Sequence, residues 1–185
     1  MSDTGIKRYF DTARPHLLAH RGLSQHVSGI DENSIAAFEQ ALKFGATHIE
    51  SDVHATKDGV AVLFHDDDLE RVANLPLKIS ELTFAQLSEI SLANGSRVPS
   101  LRDVLEHFPA LKLNLDVKAQ PGCAATAEVI NKLGAFDRVL VSSFSKARKL
   151  ATLKLLDRPV ATSASSTEVL GLWLAHVFLG LGFRS

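Results

Sequence analysis

Residues 47–66, THIESDVHATKDGVAVLFHD, contain two apolar-rich extended runs on either side of Thr56-Lys57-Asp58-Gly59. Asp-Gly between alternating runs predicts a β-hairpin. A turn at the centre of this tetrapeptide would place Glu50 opposite His65 on antiparallel strands. Alternatively, the second run is a further strand of a parallel barrel. In either arrangement Glu50 and Asp52 share one face of a strand, because strand side chains alternate.

The residue types on this stretch suit metal and proton-transfer chemistry. Carboxylates at positions i and i+2, here Glu50 and Asp52, can bind a hard divalent cation, and the imidazole of His65 can transfer a proton. An acidic pair on a strand is more often a solvated face. Two other apolar runs favour a site, because they end in His20-Arg21-Gly22 and in Asp116-Val117-Lys118. Polar groups at several strand ends are typical of the carboxyl-terminal rim of a parallel barrel.

Strands and helices alternate along the rest of the chain. Helices are predicted over 34–44, 84–90, 101–107, 124–133, 145–156 and 169–183, and further strands over 16–22, 111–118, 138–144 and 159–162. Asn33 is expected to cap the first of these helices. The alternation predicts an α/β fold with a mostly parallel sheet. We count about six strands, whereas a closed (β/α)8 barrel takes eight strands and usually about 250 residues.

Length and composition predict one domain over residues 1–185, with 45% hydrophobic and 22% charged residues. The net charge of -1 gives no electrostatic case for binding nucleic acid. Cys123 is the single cysteine, so an intrachain disulfide is excluded and a reducing, cytoplasmic location is expected. The first ten residues lack the apolar core of a signal peptide, and no segment reaches the ~20 apolar residues of a membrane span.

A series of short motifs occurs along residues 17–159. In chain order they are His20-Arg21-Gly22; Glu32-Asn33-Ser34 with Ala37-Phe38 and Ala41; Gly45-Ala46 with Ile49-Glu50-Ser51-Asp52-Val53; Thr56-Lys57-Asp58-Gly59; His65-Asp66 with Leu69 and Arg71; Val98-Pro99-Ser100-Leu101; Asn114-Leu115-Asp116-Val117-Lys118; and Ser142-Ser143-Phe144. Together, and in this order, they resemble the glycerophosphodiester phosphodiesterase family. This family is a metal-dependent branch of the phospholipase C-like barrels.

The resemblance implies an enzyme that hydrolyses glycerophosphodiesters to an alcohol and glycerol 3-phosphate in lipid and glycerol metabolism. It also implies a role for each matching residue. A divalent metal, Mg²⁺ or Ca²⁺, would be held by Glu50, Asp52 and Asp116. The acid/base pair would be His20 and His65, and the substrate phosphate would contact Arg21 and Lys118. The third metal ligand is often Glu in the family, whereas this chain has Asp.

The resemblance further implies a TIM-type (β/α) barrel with a site-covering excursion at about 67–97. With about six strands, we interpret the chain as an incomplete, C-terminally truncated barrel in which the last two strands are missing. The strands near 16–21 and 159–162 would then be open edges, and unpaired edge strands invite self-association.

Two other interpretations remain. One is a non-catalytic remnant that binds only phosphate or metal. The other is a lysophospholipase D-type enzyme that acts on lysophospholipids and contacts a membrane through an apolar stripe on the last helix. The stripe consists of Trp173, Leu174, Val177, Phe178 and Leu181. Packing of this stripe against the barrel is the favoured interpretation, and membrane contact is not favoured.

Overall fold

The computed structural model describes residues 8–12, 14–26 and 28–179 and contains one main sheet flanked by helices. The strands are β1 (Leu18–His20), β2 (His48–Ala55), β3 (Ala61–Leu63), β4 (Asp68–Leu69), β5 (Leu75–Lys78), β6 (Lys112–Val117), β7 (Val139–Ser142) and β8 (Ala161–Thr162). The helices are α1 (Ile35–Lys43), α2 (Glu70–Ala73), α3 (Phe84–Ser88), α4 (Leu101–His107), α5 (Gln120–Leu133), α6 (Lys146–Lys154) and α7 (Ser166–Leu179). Short 3-10 turns lie at Arg21–His26, Ile79–Glu81 and Ala135–Asp137.

Five strands of the main sheet run parallel in the order β1-β2-β6-β7-β8, and β3 pairs with β2 from outside this path. The predicted α/β class is confirmed, and the main sheet has six strands, one of them antiparallel. The two-stranded sheet of β4 and β5 was not predicted. Within the described part of the chain the sheet is open, with β1 and β8 at its edges. The register places His20 opposite Glu50 and Asp52 opposite Asp116. Polar residues from three strands therefore meet near the carboxyl edge of the sheet.

The hairpin between β2 and β3 is antiparallel as predicted, but its pairing is shifted by one residue. The loop has three residues rather than two, because the Thr56 N–H donates to Val60 O and the Gly59 N–H donates to Thr56 O. Gly59 has φ +81, the left-handed conformation that ends such a three-residue loop. The predicted pairing of Glu50 with His65 is therefore wrong.

Helix α1 packs its apolar face against the sheet, with Ala37, Phe38 and Ala41 fully buried. Its N-cap is Ser34, whose Oγ accepts a hydrogen bond from the Ala37 N–H at 3.1 Å. The prediction that Asn33 caps this helix is wrong. Asn33 lies one residue earlier with φ +57, and its side chain turns toward β2.

The main core lies between the sheet and helices α1, α4 and α5. On β6, alternate residues Leu113, Leu115 and Val117 are fully buried, as the pattern predicts. Helix α5 begins at Gln120, four residues before the predicted start, and has a proline in its first turn. Proline suits that position, because the first helical N–H groups have no intrahelical partner.

Residues 67–97 form a lobe that carries β4, α2, β5 and α3 and packs around a second, smaller core to which the neighbouring residues Val62, Phe64 and Val98 also contribute. The buried residues of this core are Val62, Phe64, Leu69, Ile79, Leu87, Leu92 and Val98. The Asp31 carboxylate ties the lobe to the loop before α1. It accepts hydrogen bonds from the backbone N–H groups of Asn94 and Ser96, each at 3.0 Å.

The last helix, α7, is largely exposed. Trp173 and Val177 are 57% and 51% exposed, and Leu174 is 39% exposed. The favoured interpretation that this stripe packs on the barrel is therefore wrong for these three residues. The side chains of Phe178 and Leu181 lie outside the described part. No helix in the described ranges combines the length and apolarity needed to cross a bilayer.

Candidate active site

A cavity of about 910 Å³ opens at the carboxyl ends of the parallel strands. All seven predicted site residues line it: His20, Arg21, Glu50, Asp52, His65, Asp116 and Lys118. The opposite wall comes from β7, the segment after β8, and α7. None of the described residues of 67–97 lines the cavity, and the covering role of that excursion stays a prediction.

Two buried carboxylates face each other at the base of the cavity. Asp52 and Asp116 lie on adjacent parallel strands in direct register. The Lys118 ammonium bridges them, with Nζ at 2.8 Å from Asp52 Oδ1 and 2.7 Å from Asp116 Oδ2. Burial acts to lower the pKa of Lys118, but its hydrogen bonds to Asp116 and Asp52 outweigh this effect and raise the pKa. Lys118 is therefore positively charged and neutralises part of the negative charge of Asp52 and Asp116.

Glu50 lies on the same face of β2, two residues before Asp52. Burial, and then the charge of Asp52, raise the pKa of Glu50 to about 7. Its carboxylate lies 3.7 Å from His20 Nε2 and accepts a hydrogen bond from the Arg21 backbone N–H at 3.4 Å. Burial and the neighbouring Arg21 lower the pKa of His20. His20 is thus favoured in its neutral form, in which one ring nitrogen can accept a proton.

The three carboxylates fit a divalent cation in donor type. Mg²⁺ and Ca²⁺ prefer oxygen ligands, and Asp116 Oδ1 is buried without a hydrogen-bond partner. Burial first, and then the charge of Asp52, raise the pKa of Glu50, so a cation beside it would favour its ionised form. In the part of the chain that is described, no three acidic, His or Cys side chains stand in metal-binding geometry. The Lys118 ammonium lies between two of the proposed ligands and contacts both Asp52 and Asp116.

The loop before α1 supports these acidic residues, and sequence reasoning missed this role. Asn33 Nδ2 donates to Asp52 Oδ2 at 3.3 Å, and Ser51 Oγ donates to Asn33 Oδ1 at 2.6 Å. Arg21 Nη1 pairs with Glu32 Oε1 at 3.2 Å, and Arg21 Nε lies 3.3 Å from Asp52 Oδ2 without hydrogen-bond geometry. Asn33 looked like a helix cap because caps and left-handed turns both favour this residue type.

His65 is held from its Nδ1 side. Nδ1 lies 2.6 Å from Asp66 Oδ1, and Asp66 Oδ2 accepts from Arg71 Nε at 2.6 Å. Burial favours protonated Asp66, but the hydrogen bonds from His65 and Arg71 prevail and lower the pKa of Asp66. An ionised Asp66 can only accept, so the Nδ1 of His65 carries the proton. Nε2 of neutral His65 is then free to accept a proton.

The wall opposite the acidic residues is mainly apolar and hydroxyl-bearing. Ser142 Oγ donates to Asn114 Oδ1 at 2.9 Å, which links β7 to β6. Phe144 is 72% exposed, and Lys118 Nζ lies 5.6 Å from its ring centroid. The apolar side chains on this wall are Phe144, Ala164, Val169, Leu170 and Trp173. The cavity therefore has one charged side and one apolar side.

Residues 20–170 match the model of the glycerophosphoryl diester phosphodiesterase family. The chain is 37% identical over 163 residues to a probable glycerophosphodiester phosphodiesterase 2 of Mycobacterium tuberculosis, covering 88% of this chain and 61% of that protein. It is 32% identical over 143 residues to a glycerophosphodiester phosphodiesterase of Caldanaerobacter subterraneus, covering 70% of this chain and 58% of that protein. The chain thus spans about three fifths of the length of these relatives.

Solved structures show the same fold. A glycerophosphoryl diester phosphodiesterase domain from Mycobacterium tuberculosis aligns with a TM-score of 0.78 at 21% identity, covering 89% of this chain and 65% of that one. An Oleispira antarctica phosphodiesterase in complex with the product sn-glycerol-3-phosphate aligns with a TM-score of 0.71 at 27% identity, covering 88% and 72%. These neighbours are TIM-type barrels, so the predicted TIM-type class is confirmed, and the described strands form an open arc of that fold.

Proposed function

Because the chain belongs to the glycerophosphoryl diester phosphodiesterase family, we propose that it hydrolyses glycerophosphodiesters to an alcohol and glycerol 3-phosphate with a divalent cation. One observation carries the proposal. Two imidazoles, two cationic side chains and three carboxylates line a single cavity at the carboxyl edge of the sheet. A phosphodiester needs these groups, because its negative charge repels nucleophiles and its leaving oxygen needs a proton.

The cationic side chains would bind the substrate phosphate. Arg21 is only 13% exposed and Lys118 20% exposed, so water screens their charges weakly. Each is paired with carboxylates before substrate binds: Arg21 with Glu32, and Lys118 with Asp52 and Asp116. In the proposed reaction, Arg21 and Lys118 also interact with the negatively charged phosphate of the substrate.

The imidazoles would transfer the protons. His65 has its proton on Nδ1 and presents Nε2, which suits a group that removes a proton from the attacking hydroxyl or water. His20, beside Glu50 and 57% exposed, would first take up a proton from solvent, because its lowered pKa favours the neutral form, and would then donate that proton to the leaving oxygen. Each imidazole can accept a proton in one step and donate it in the next. Such acid/base catalysis contributes about 10² to 10⁴-fold in rate.

The proposed cation ligands are Glu50, Asp52 and Asp116, with Mg²⁺ or Ca²⁺ as the metal. When bound, such a cation neutralises phosphate oxygens and stabilises charge that develops in the transition state. The carboxylates themselves create the negative site and orient Lys118 beside the phosphate. Asn33 holds the Asp52 side chain by a hydrogen bond from Nδ2, and Ser51 Oγ in turn donates to Asn33 Oδ1.

Hydrolysis of sn-glycero-3-phosphocholine tests the proposal. We expect choline and glycerol 3-phosphate as products, loss of turnover in EDTA, and recovery with Mg²⁺ or Ca²⁺. His107→Ala is the control variant, because His107 lies on α4 and pairs with Glu39 rather than with the cavity. A preparation that binds Ca²⁺ but releases neither product would overturn the catalytic proposal and would favour a metal-binding remnant.

A second candidate substrate class is supported by the apolar wall of the cavity. Val169, Leu170 and Trp173 on α7 are each more than half exposed, so a lysophospholipid acyl chain could lie against them. Human lysophospholipase D GDPD1 is 33% identical to this chain over 117 residues, covering 53% of this chain and 37% of that protein. Trp173→Ala should then weaken turnover of lysophosphatidylcholine and leave that of glycerophosphocholine unchanged.

Location and self-association belong to the same proposal. A cytoplasmic location is supported by Cys123, which is a buried, free cysteine. Self-association is supported by the two edge strands, β1 and β8, and by the exposed apolar residues of α7.

A further inference from the structure

Arg71, on helix α2 outside the cavity, joins two carboxylates that belong to different sides of the site. Its Nε lies 2.6 Å from Asp66 Oδ2, and its Nη2 lies 2.5 Å from Glu32 Oε1. Asp66 in turn holds His65, and Glu32 holds Arg21. The Arg71 guanidinium is therefore shared between Asp66, which binds the His65 imidazole, and Glu32, which binds Arg21.

We propose that Arg71 is a positioning residue that sets the His65 imidazole and the Arg21 guanidinium relative to each other. The inference rests on the proposed function for its kinetic consequence only. The guanidinium of Arg71 pairs with Asp66 and Glu32, so its effect on His65 and Arg21 passes through these two carboxylates.

The chemistry of the side chain explains why an arginine is needed here. The guanidinium presents several N–H donors in a rigid plane, so Nε and Nη2 can bind two carboxylates at once in fixed geometry. A lysine ammonium is a single point charge on a flexible stem and cannot fix two carboxylates in the same way. Arg71 is 51% exposed, but Glu32 and Asp66 are only 12% and 24% exposed, so the shared pairs are partly shielded from water.

The lobe of residues 67–97 gives Arg71 a fixed base. The Ala93 N–H donates to Val72 O at 2.8 Å, next to Arg71 in the chain. The same lobe is bound to Asp31, the neighbour of Glu32, through Asn94. The lobe thus contacts the loop before α1 at the adjacent residues Asp31 and Glu32. Arg71 also contacts Asp66, which binds His65.

The test compares Arg71→Gln and Arg71→Lys with Arg97→Gln. Arg97 lies in the same lobe and donates to Ser88 O, away from the site. In ¹H–¹⁵N spectra of the histidine ring nitrogens, we expect parental protein and Arg97→Gln to show His65 with its proton on Nδ1. Both Arg71 variants should show a mixture of tautomers and a displaced Arg21 Nε–H signal.

Kinetics supply the second readout. Both Arg71 variants should lower kcat for glycerophosphocholine by about 10 to 100-fold, the typical loss on removing a supporting partner, with a smaller change in KM. If parental protein does not hydrolyse the diester, the proposed function fails, yet the spectra still decide the positioning role. An unchanged His65 tautomer in Arg71→Gln, or parental spectra and kcat in Arg71→Lys, would overturn the inference.

Discussion

Gly22 of the His-Arg-Gly motif allows the segment that carries Arg21 to lie directly on helix α1. It has φ +77, and a Cβ at this position would lie 2.7 Å from Ala37 Cβ and 2.9 Å from Phe38 Cδ1. Real Cβ atoms do not approach other heavy atoms that closely. Because Ala37 and Phe38 are fully buried, neither side chain has room to move away. Gly22→Ala should therefore be strongly destabilising.

The magnitude follows from two separate costs. A left-handed backbone costs a residue with a Cβ about 1–2 kcal/mol. Overpacking of a buried contact costs about 1–3 kcal/mol more. Together they predict a loss of about 2–5 kcal/mol in the free energy of unfolding. Gly59→Ala is the matched control, because Gly59 has φ +81 but a Cβ there would have no atom within 4 Å.

Urea denaturation of both variants checks the reasoning. Both variants lose the backbone cost, partly offset in each by about 0.4–1 kcal/mol because alanine restricts the unfolded chain, and Gly59→Ala loses nothing more. The two variants should therefore differ by about 2 kcal/mol, the contribution of overpacking alone. If Gly22→Ala is no less stable than Gly59→Ala, the close packing of this segment on α1 is not the reason for glycine at this position.

Three further predictions concern charge, catalysis and association. In EDTA, the free energy of unfolding should fall as pH rises from about 4.5 to 7. The pKa of Glu50 is about 7 in the folded state and 4.5 for an ordinary glutamate, so in this pH range the folded state binds a proton that the unfolded state has lost. At roughly 1.4 kcal/mol per pKa unit, the free energy of unfolding of Glu50→Gln should exceed that of the parent by about 3 kcal/mol at pH 8 and should nearly equal it at pH 4.5. A difference in stability that does not change with pH would contradict this. His20→Ala and His65→Ala should each reduce turnover by about 10² to 10⁴-fold while Ca²⁺ binding stays within a few-fold, and near-parental turnover in either would remove that histidine from the mechanism. Size-exclusion chromatography should show dimers or larger species at micromolar concentration, whereas a stable monomer would mean that the edges β1 and β8 are protected.

Sequence reasoning brought the predicted site residues together in space because it depended on strand ends, and their roles stay predictions. The motifs at His20, Glu50, Asp52 and Asp116 each follow an apolar run, and parallel strands bring such ends to one edge of a sheet. The hairpin pattern of residues 47–66 had already added His65 to this set, and that residue lines the same cavity although its predicted pairing with Glu50 is wrong. These predictions needed only strand identity and direction.

Features that depend on local geometry were less predictable. The register of the β2–β3 hairpin depended on whether Gly59 belongs to the loop, and the sequence allows loops of two or three residues. Likewise, Asn33 and Ser34 are both good cap residues, and only the fold shows that Asn33 binds Asp52. The shared role of Arg71 depends on a contact with Glu32, 39 residues away, which no short pattern encodes.

The exposure of α7 was missed for a different reason. An apolar helix is normally assumed to be buried, and Trp173 and Val177 follow a spacing that suits packing. In the described sheet β8 is the last strand, and the three apolar α7 residues that line the cavity, Val169, Leu170 and Trp173, are more than half exposed. Composition alone cannot distinguish a packed apolar helix from an exposed one.

A cation shared by Glu50, Asp52 and Asp116 is the central element of the proposed mechanism. Its most direct test is the Ca²⁺ dependence of glycerol 3-phosphate release, measured for the parental chain, Asp116→Asn and the exposed control Glu106→Gln. We expect no release in EDTA and saturable recovery with Ca²⁺. Only Asp116→Asn should raise the half-saturating Ca²⁺ concentration, by about tenfold or more, because this variant loses one charged oxygen ligand. Equal release by the parental chain in EDTA and in Ca²⁺, or a parental response in Asp116→Asn, would contradict the shared cation site.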